Sequence, residues 1–336
     1  MRNPFSGRAP VIDLIIPGLL DLPVYELDEE PLVSATPALH KLLRYADRVS
    51  SSAHDFDSLL IQTLGLQQSA LPYAQALQPL NDNTKLVFKP VHLKTDMNNA
   101  MVYPVNVSED EISLLIKDLA DFFKQDCEIV RLPDDHWMMI LHECKPVLEL
   151  PHYLTALGKK VTHYLEQAKT SLDWFRLFNE MQMFLYQHTL NQRRMRQGQP
   201  IINSLWCWGA DAYRGEKFND RHWFSDDHAL QALGDLYCGH SATLDEMAGC
   251  ELTPQTIIVE LSLLKDLKSQ RESELMTTLL KLEQRCIQPL MALPDMQLNV
   301  LTAGAENLHY RPGMRHKFWK KPLSLSQLIL HVNQAQ

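Results

Sequence analysis

The sequence predicts an α/β protein in which a mostly parallel central sheet is flanked by helices, together with a smaller α+β subdomain. Three short, mostly apolar segments support this fold class, at residues 12–16, 202–208 and 298–301. Each is followed by a turn or by a helix pattern, as buried strands of parallel sheets usually are. We therefore expect all three strands to lie in one sheet.

The expected domain boundaries follow from where strand and helix patterns alternate along the chain. We assign residues 1–85 and 151–336 to the α/β core and residues 86–150 to the α+β subdomain. Alternating apolar residues at the start of this subdomain predict strands. Ser108 and Glu111 have the spacing of a capping box, which predicts that a helix begins after Ser108.

Composition excludes several classes of function. The chain has 32 Lys and Arg against 41 Asp and Glu, a net charge of −9, which argues against a general nucleic-acid-binding protein. It lacks an apolar run of the length needed to span a bilayer, so we expect no membrane association. The six cysteines form no C-x-x-C pair and lie in or beside apolar runs, which indicates reduced core thiols and a cytoplasmic location.

The most distinctive pattern begins at residue 174. Apolar residues at three- and four-residue spacing predict a helix over residues 174–196, whose apolar face packs against the central sheet. A glycine and a proline end this helix, and an almost wholly apolar strand follows. The polar Asn203 and Ser204 interrupt the strand. A buried asparagine must form hydrogen bonds, so Asn203 is either a structural clip or a ligand contact.

This helix and strand together predict a cleft for a ligand or a partner. The catalytic residues, if there are any, are unknown from the sequence. A simpler alternative is that the tryptophans only fill a core. The candidate cleft residues are Asn179, Glu180, Gln182, Asn203, Ser204, Trp206 and Trp208.

A cluster of acidic residues and histidines follows at residues 226–228, with His240 further along. These residue types can bind a metal ion. However, Ser and Asp directly before an apolar helix pattern cap its free amide groups and complement its dipole. We therefore interpret the cluster as a helix cap and predict no metal site.

A basic segment lies near the carboxyl terminus, between Tyr310 and Pro322, and contains no acidic residue. Such a patch can hold an anion through charge-assisted hydrogen bonds. The alternative is a solvated charged surface. The candidate anion-binding residues are Arg311, Arg315, Lys317, Lys320 and Lys321.

Four further segments are distinctive: NEMQMFLYQHTLNQRR at 179–194, GQPIINSLWCWG at 198–209, DDHW at 134–137 and KPVHLKTD at 89–96. Together they resemble the RpfE-type regulatory proteins of proteobacteria. That family is often described as cofactor-independent phosphoglycerate mutases, within the alkaline-phosphatase-like superfamily. The resemblance implies a sheet in which the first strand ends in Asp-Gly and a late strand ends in Thr-Ala-Asp-His-Gly, both of which supply metal ligands.

This chain departs from that pattern at each ligand position. Pro17 stands in place of the first aspartate, and Gly304 and Ala305 stand in place of the second aspartate and the histidine. None of these side chains can bind a metal. We therefore expect a non-catalytic regulatory or assembly protein without a cofactor, whose partner is a protein or a phosphorylated small molecule. The alternative is an active metal-dependent phosphoglycerate mutase or phosphotransferase with an unrecognised site.

Overall fold

The computed structural model of the chain describes residues 11–23, 29–68, 70–79, 84–133, 136–143, 150–169, 171–210, 217–218, 220–250, 252–253, 255–269, 271–293, 296–311, 327 and 329. The chain divides into two compact units. The first unit comprises Met1–Gln62 and Glu216–Gln336, and the second comprises Thr63–Gly215. Residues 63–85 and 151–215, assigned to the α/β core from the sequence, belong to the second unit in this division.

The described strands, in chain order, are β1 (Val11–Ile15), β2 (Asp47–Ser50), β3 (Lys85–Thr95), β4 (Ala100–Pro104), β5 (Cys127–Arg131), β6 (Trp137–Leu141), β7 (Ser204–Trp208), β8 (Trp223–Ser225), β9 (Ser241–Ala242), β10 (Thr256–Val259), β11 (Gln297–Leu301) and β12 (Glu306–Tyr310).

The described helices are α1 (Glu29–Ala35), α2 (Pro37–Tyr45), α3 (Phe56–Leu64), α4 (Tyr73–Leu77), α5 (Glu109–Phe122), α6 (Tyr153–Ala156), α7 (Thr162–Ala168), α8 (Leu172–Gln187), α9 (Thr189–Arg196), α10 (His228–Cys238), α11 (Leu244–Met247), α12 (Ser262–Lys268), α13 (Glu272–Leu282) and α14 (Gln288–Ala292), with a π-helical turn at Glu283–Ile287 before α14. None of them is long and apolar enough to cross a bilayer.

The first unit is built on a seven-stranded sheet in the order β2-β12-β11-β1-β10-β8-β9. Strands β11, β1, β10, β8 and β9 pair in parallel, whereas β12 and β2 pair antiparallel at one edge. The predicted fold class, a mostly parallel central sheet flanked by helices, is thus confirmed. The strands expected at residues 12–16 and 298–301 are neighbours in this sheet, because β1 pairs with β11.

The two faces of this sheet differ in polarity. Ile12, Leu14 and Leu298 point into the fully buried core of the first unit. The alternate positions form a polar row, in which Asp13 lies beside Asn299 and Asn299 lies beside His309. The Asn299 amide donates a hydrogen bond of 2.7 Å to Asp13 Oδ1. Burial nevertheless raises the pKa of Asp13, because desolvation disfavours the carboxylate.

The second unit is built on an antiparallel sheet, in which β3 pairs with β4, β6 and β7, and β5 pairs with β6. The expectation that residues 202–208 share the parallel sheet is therefore wrong. All five residues of β7 are buried, as the sequence indicated. Burial on both faces is equally compatible with parallel and antiparallel pairing, so the composition of the strand could not identify its neighbour.

The helix expected over residues 174–196 is two helices. The backbone of His188 is extended, with φ −63° and ψ 137°, and separates α8 from α9. Its Nδ1 accepts a hydrogen bond from the Leu190 amide (3.2 Å), which caps α9. The predicted buried face is confirmed, since Trp174, Met181 and Leu185 of α8 are 1%, 1% and 0% exposed. That face packs on β7 of the antiparallel sheet rather than on the parallel one.

Candidate functional site

A cavity of about 500 Å³ lies within the second unit. Its lining residues belong mainly to the end of β3, to β7, to the helices α7 and α8, and to the turn between β3 and β4. Most of the lining is therefore regular secondary structure. Its lining residues are Leu93, Thr95, Asp96, Met97, Asn98, Asn99, Ala100, Leu150, Thr162, Leu165, Glu166, Lys169, Trp174, Phe175, Phe178, Asn179, Gln182, Leu205, Trp206 and Cys207.

The interior of the cavity is aromatic. Trp174 and Phe178 lie one helical turn apart on α8, with ring centroids 6.1 Å apart. Trp206 approaches from β7 and is 3% exposed. Its indole Nε1 donates a hydrogen bond of 3.0 Å to the Pro151 carbonyl, which fixes the ring. Buried, fixed aromatic rings offer a large contact area at little cost in conformational entropy.

Two amide side chains add hydrogen-bonding groups to this apolar surface. Asn179 and Gln182 are three residues apart on α8 and therefore share one face of the helix. Gln182 Nε2 donates a hydrogen bond of 3.3 Å to Ser204 Oγ. The Asn179 amide forms no hydrogen bond within the described part of the chain. Amides can both donate and accept, so this pair can orient a polar group of a ligand.

The mouth of the cavity carries charges of both signs. The carboxylates of Asp96 and Glu166 and the ammonium of Lys169 line it. Asp96 Oδ1 accepts hydrogen bonds from the backbone amides of Asn98 (3.2 Å) and Asn99 (2.9 Å), which hold the turn. These bonds lower the pKa of Asp96.

Cys207 also lines the cavity, but it does not have the properties of a nucleophile. Burial raises the pKa of its thiol far above the normal range. A thiolate is the nucleophilic form of cysteine, and apolar surroundings suppress it. The described cysteines form no disulfide, and all of them except Cys250 are buried.

The structure brings three of the predicted cleft residues together in this cavity: Asn179, Gln182 and Trp206. Ser204 lies one hydrogen bond away, beneath Gln182. Asn203 has a different position. Its Oδ1 accepts from the Leu93 amide (2.7 Å) and its Nδ2 donates to the Leu93 carbonyl (2.9 Å). These two bonds extend the pairing of β7 with β3, which is the arrangement of a structural clip.

Trp208 and Glu180 lie outside the cavity. The Trp208 ring is buried in an aromatic cluster, 5.2 Å from His152 and 6.2 Å from Tyr153 between ring centroids. Its Nε1 is buried and has no hydrogen-bond partner among the described residues. Glu180 is exposed and lines a separate groove on the outer side of α8.

The candidate anion patch lies mostly outside the described residues. Arg311 is described and exposed. Arg315, Lys317, Lys320 and Lys321 fall in a segment that the structure does not describe. The patch therefore remains a prediction from the sequence.

The second candidate location is the carboxyl edge of the parallel sheet, where parallel strands place the residues that follow them. Pro17 and Gly18 follow β1 there. Gly18 has φ +83°, and a Cβ on it would lie 2.7 Å from Leu267 Cδ1 and 3.7 Å from Leu264 Cδ1. Helix α12 thus places two leucine side chains directly against the turn after β1.

Polar side chains at the same edge form hydrogen bonds with backbone groups of the chain. Thr302 Oγ1, after β11, donates a hydrogen bond of 2.5 Å to the Glu306 carbonyl. Glu260, after β10, accepts from the Ser262 amide at 2.9 Å. The other oxygen of Glu260 is buried and has no hydrogen-bond partner among the described residues. No group of three or more His, Cys, Asp and Glu in the described part of the chain is placed to hold a metal ion.

The acidic cluster before α10 has the geometry of a helix cap. Asp227 Oδ1 accepts hydrogen bonds from the amides of Ala229 (3.1 Å) and Leu230 (3.2 Å), at the first turn of α10. Its Oδ2 lies 2.9 Å from Lys265 Nζ. Asp226 Oδ2 lies 2.6 Å from Arg285 Nη1. Capping of the helix by Asp227, as interpreted from the sequence, is confirmed.

Comparison with known proteins shows a similarity of fold. The chain resembles the PH0037 protein from Pyrococcus horikoshii, with a TM-score of 0.55 and 14% identity over 96% of this chain and 92% of that one. A cofactor-independent phosphoglycerate mutase from Thermoplasma acidophilum aligns over 96% of this chain and 94% of its own, with 11% identity and a TM-score of 0.41. No protein-family model matches the sequence, and no curated protein matches it.

Proposed function

We propose that this chain is a phosphoglycerate-mutase-like protein of the RpfE type that binds a small molecule and does not catalyse phosphoryl transfer. The observation that carries the proposal is the packing of Leu267 and Leu264 against Gly18. At this edge the resemblance implies a two-metal site, and here apolar side chains take up the space beside the first ligand position.

The chemistry of phosphate esters explains the importance of this packing. Their uncatalysed reaction is among the slowest known, and a two-metal site accelerates it by stabilising both the attacking and the leaving oxygen. Pro17, Gly304 and Ala305 offer no side-chain ligand atom for such a site. Glu260 supplies a carboxylate, but one carboxylate does not replace the ligand set of two metal ions.

We expect no metal-dependent turnover from the purified protein. Coupled phosphoglycerate mutase assays and hydrolysis of p-nitrophenyl phosphate, both with added manganese, should give the background rate for the wild type. The Glu260→Gln variant serves as the comparison, because Glu260 is a buried acid that follows β10 at the sheet edge. Turnover that requires manganese and is lost in Glu260→Gln would establish the alternative, an active enzyme.

The binding function is assigned to the cavity of the second unit. Its volume of about 500 Å³ is within the range of small-molecule sites, which are mostly apolar with a few polar groups. The ring pair of Trp174 and Phe178 favours a flat or cyclic ligand, and Asn179 and Gln182 favour one with a hydroxyl or an amide. Lys169 shares the mouth with two carboxylates, so a phosphate group is disfavoured here.

Binding can be measured with 1-aminoanthracene, a neutral aromatic probe whose fluorescence rises in an apolar site. We expect saturable binding to the wild type and at least about tenfold weaker binding to Asn179→Phe, because the added ring takes up cavity space and the polar amide is lost. Arg176→Phe is the matched control, since Arg176 lies on the exposed side of the same helix. Equal binding to the wild type and to Asn179→Phe would place the probe elsewhere and contradict this assignment.

A further inference from the structure

A second concave surface lies on the outer side of the same unit, between α5 and α8. This groove, of about 770 Å³, exposes apolar side chains. Phe122 at the end of α5 and Met183 on α8 are each 63% exposed. Large apolar side chains grouped in this way on a protein surface mark an interaction site more often than single ones do.

The floor of the groove is continuous with the protein core. The Phe184 ring lies 5.0 Å from Phe122 and 5.8 Å from Phe123, between ring centroids. Phe123 is 1% exposed, so it anchors this cluster in the interior. A partner side chain placed between Phe122 and Met183 would therefore contact a fixed aromatic surface.

The charge around this apolar floor has one sign. Asp118, Asp121 and Glu180 line the groove, and no Lys or Arg of the described chain does. Helix α5 ends beside it, and the carboxyl end of a helix carries partial negative charge. Helix α8 also ends there, but α9 begins at Thr189, so the partial charges of these two termini oppose each other. His188 Nε2 donates a hydrogen bond of 3.0 Å to Asp118 Oδ2, because Nδ1 of the same ring accepts from the Leu190 amide. The groove as a whole favours a cationic partner.

We propose that this groove is a docking surface for an amphipathic helix of a partner protein, with an apolar face flanked by Lys or Arg. Laying the apolar face of a helix into a hydrophobic groove is a common mode of peptide recognition. A second copy of this chain is the less suitable occupant, because its acidic groove residues would face these ones and repel them. The proposal is independent of the small-molecule cavity, which lies on other residues of the unit.

The test uses a fluorescein-labelled peptide of about fifteen residues, made of leucine and lysine at helical spacing. Binding is followed by anisotropy at about 0.15 M salt, where non-specific attraction is screened. We expect saturable binding to the wild type and at least about tenfold weaker binding to the double variant Phe122→Ala, Met183→Ala. Leu172→Ala, at a 79% exposed position of α8 outside the groove, should bind as the wild type does.

A second set of variants tests the contribution of the acidic side chains of the groove. Asp121→Lys and Glu180→Lys should each weaken binding, while Glu143→Lys, at an exposed position elsewhere, should not. Equal weakening by Glu143→Lys would show attraction to net charge alone and overturn the proposal. So would absence of binding to the wild type, or equal binding of a peptide with glutamate in place of lysine. A wild-type dimer that the Phe122→Ala, Met183→Ala change dissociates in sedimentation would also overturn it, because a second copy would then cover the groove.

Discussion

Replacing Arg194 with methionine should lower the free energy of unfolding by about 3–5 kcal/mol, the range found when one partner of a buried ion pair is removed. Arg194 is 2% exposed, and its guanidinium makes three contacts. Nη1 lies 2.8 Å from Glu111 Oε2, Nε donates to the Pro200 carbonyl (2.8 Å) and Nη2 donates to the Asn106 carbonyl (3.0 Å). Methionine retains the length of the side chain but none of these donors.

The effect of this substitution should extend beyond α9. Glu111 also accepts a hydrogen bond from the Ser108 amide (3.1 Å), as part of the capping box of α5. Arg194 therefore holds the start of α5 and the loop before β7 in one network. Without it, the Glu111 carboxylate, which is 17% exposed, remains partly buried without its cation.

Urea denaturation of the wild type and of the variant measures this difference. Arg196→Met is the matched control, because Arg196 is exposed two residues further along the same helix. It should change the stability by less than about 0.5 kcal/mol, as surface substitutions usually do. Similar losses in the two variants would show that the buried network contributes little.

The sequence identified elements whose signals are local. The capping box of Ser108 fixed the start of α5, because both of its hydrogen bonds form within one helical turn. The apolar run that contains β1 is followed by Pro17 and Gly18, and this pair of turn residues correctly indicated that the strand ends before them. The helical spacing from Trp174 to Leu185 also identified the buried face correctly.

Features that depend on distant parts of the chain were not predictable in this way. The neighbour of β7 is β3, which lies far earlier in the chain. The residue types of a buried strand do not indicate which other strand pairs with it. The break at His188 is another example. A histidine that caps a helix and a histidine within one have the same apolar spacing around them, so the pattern continues through the break.

Only one wall of the cavity in the second unit was predictable from the sequence. Asn179, Gln182 and Trp206 belong to the distinctive helix and strand, whereas the opposite wall comes from the turn at Asp96 and from the short helix that contains Glu166. Turn residues and a seven-residue helix give weak patterns, and their proximity to α8 arises from tertiary packing. The leucines that pack against Gly18 were not predictable either, because α12 reaches the turn after β1 only through tertiary packing.

The acidic residue Glu283 acts as a cap for a helix far away in the chain. It is 2% exposed and lies in the π-helical turn. Its two carboxylate oxygens accept hydrogen bonds from the backbone amides of Ala38 (2.7 Å) and Leu39 (2.8 Å), at the start of α2. Thr36, at the usual capping position, instead donates its hydroxyl to the Leu32 carbonyl (2.8 Å). Glu283 thus satisfies amides that α2 cannot satisfy itself.

Glu283→Ala should accordingly lower the free energy of unfolding by about 2–5 kcal/mol, since it leaves two partly or fully buried amides unpaired and removes a negative charge from a helix amino terminus. Glu283→Gln retains one acceptor oxygen, so we expect roughly half of that loss. Glu274→Ala is the matched control, because Glu274 is 54% exposed and its one ion pair within the described residues is with Arg271. Denaturant melts that give Glu283→Ala and Glu274→Ala the same stability would show that α2 does not depend on this carboxylate.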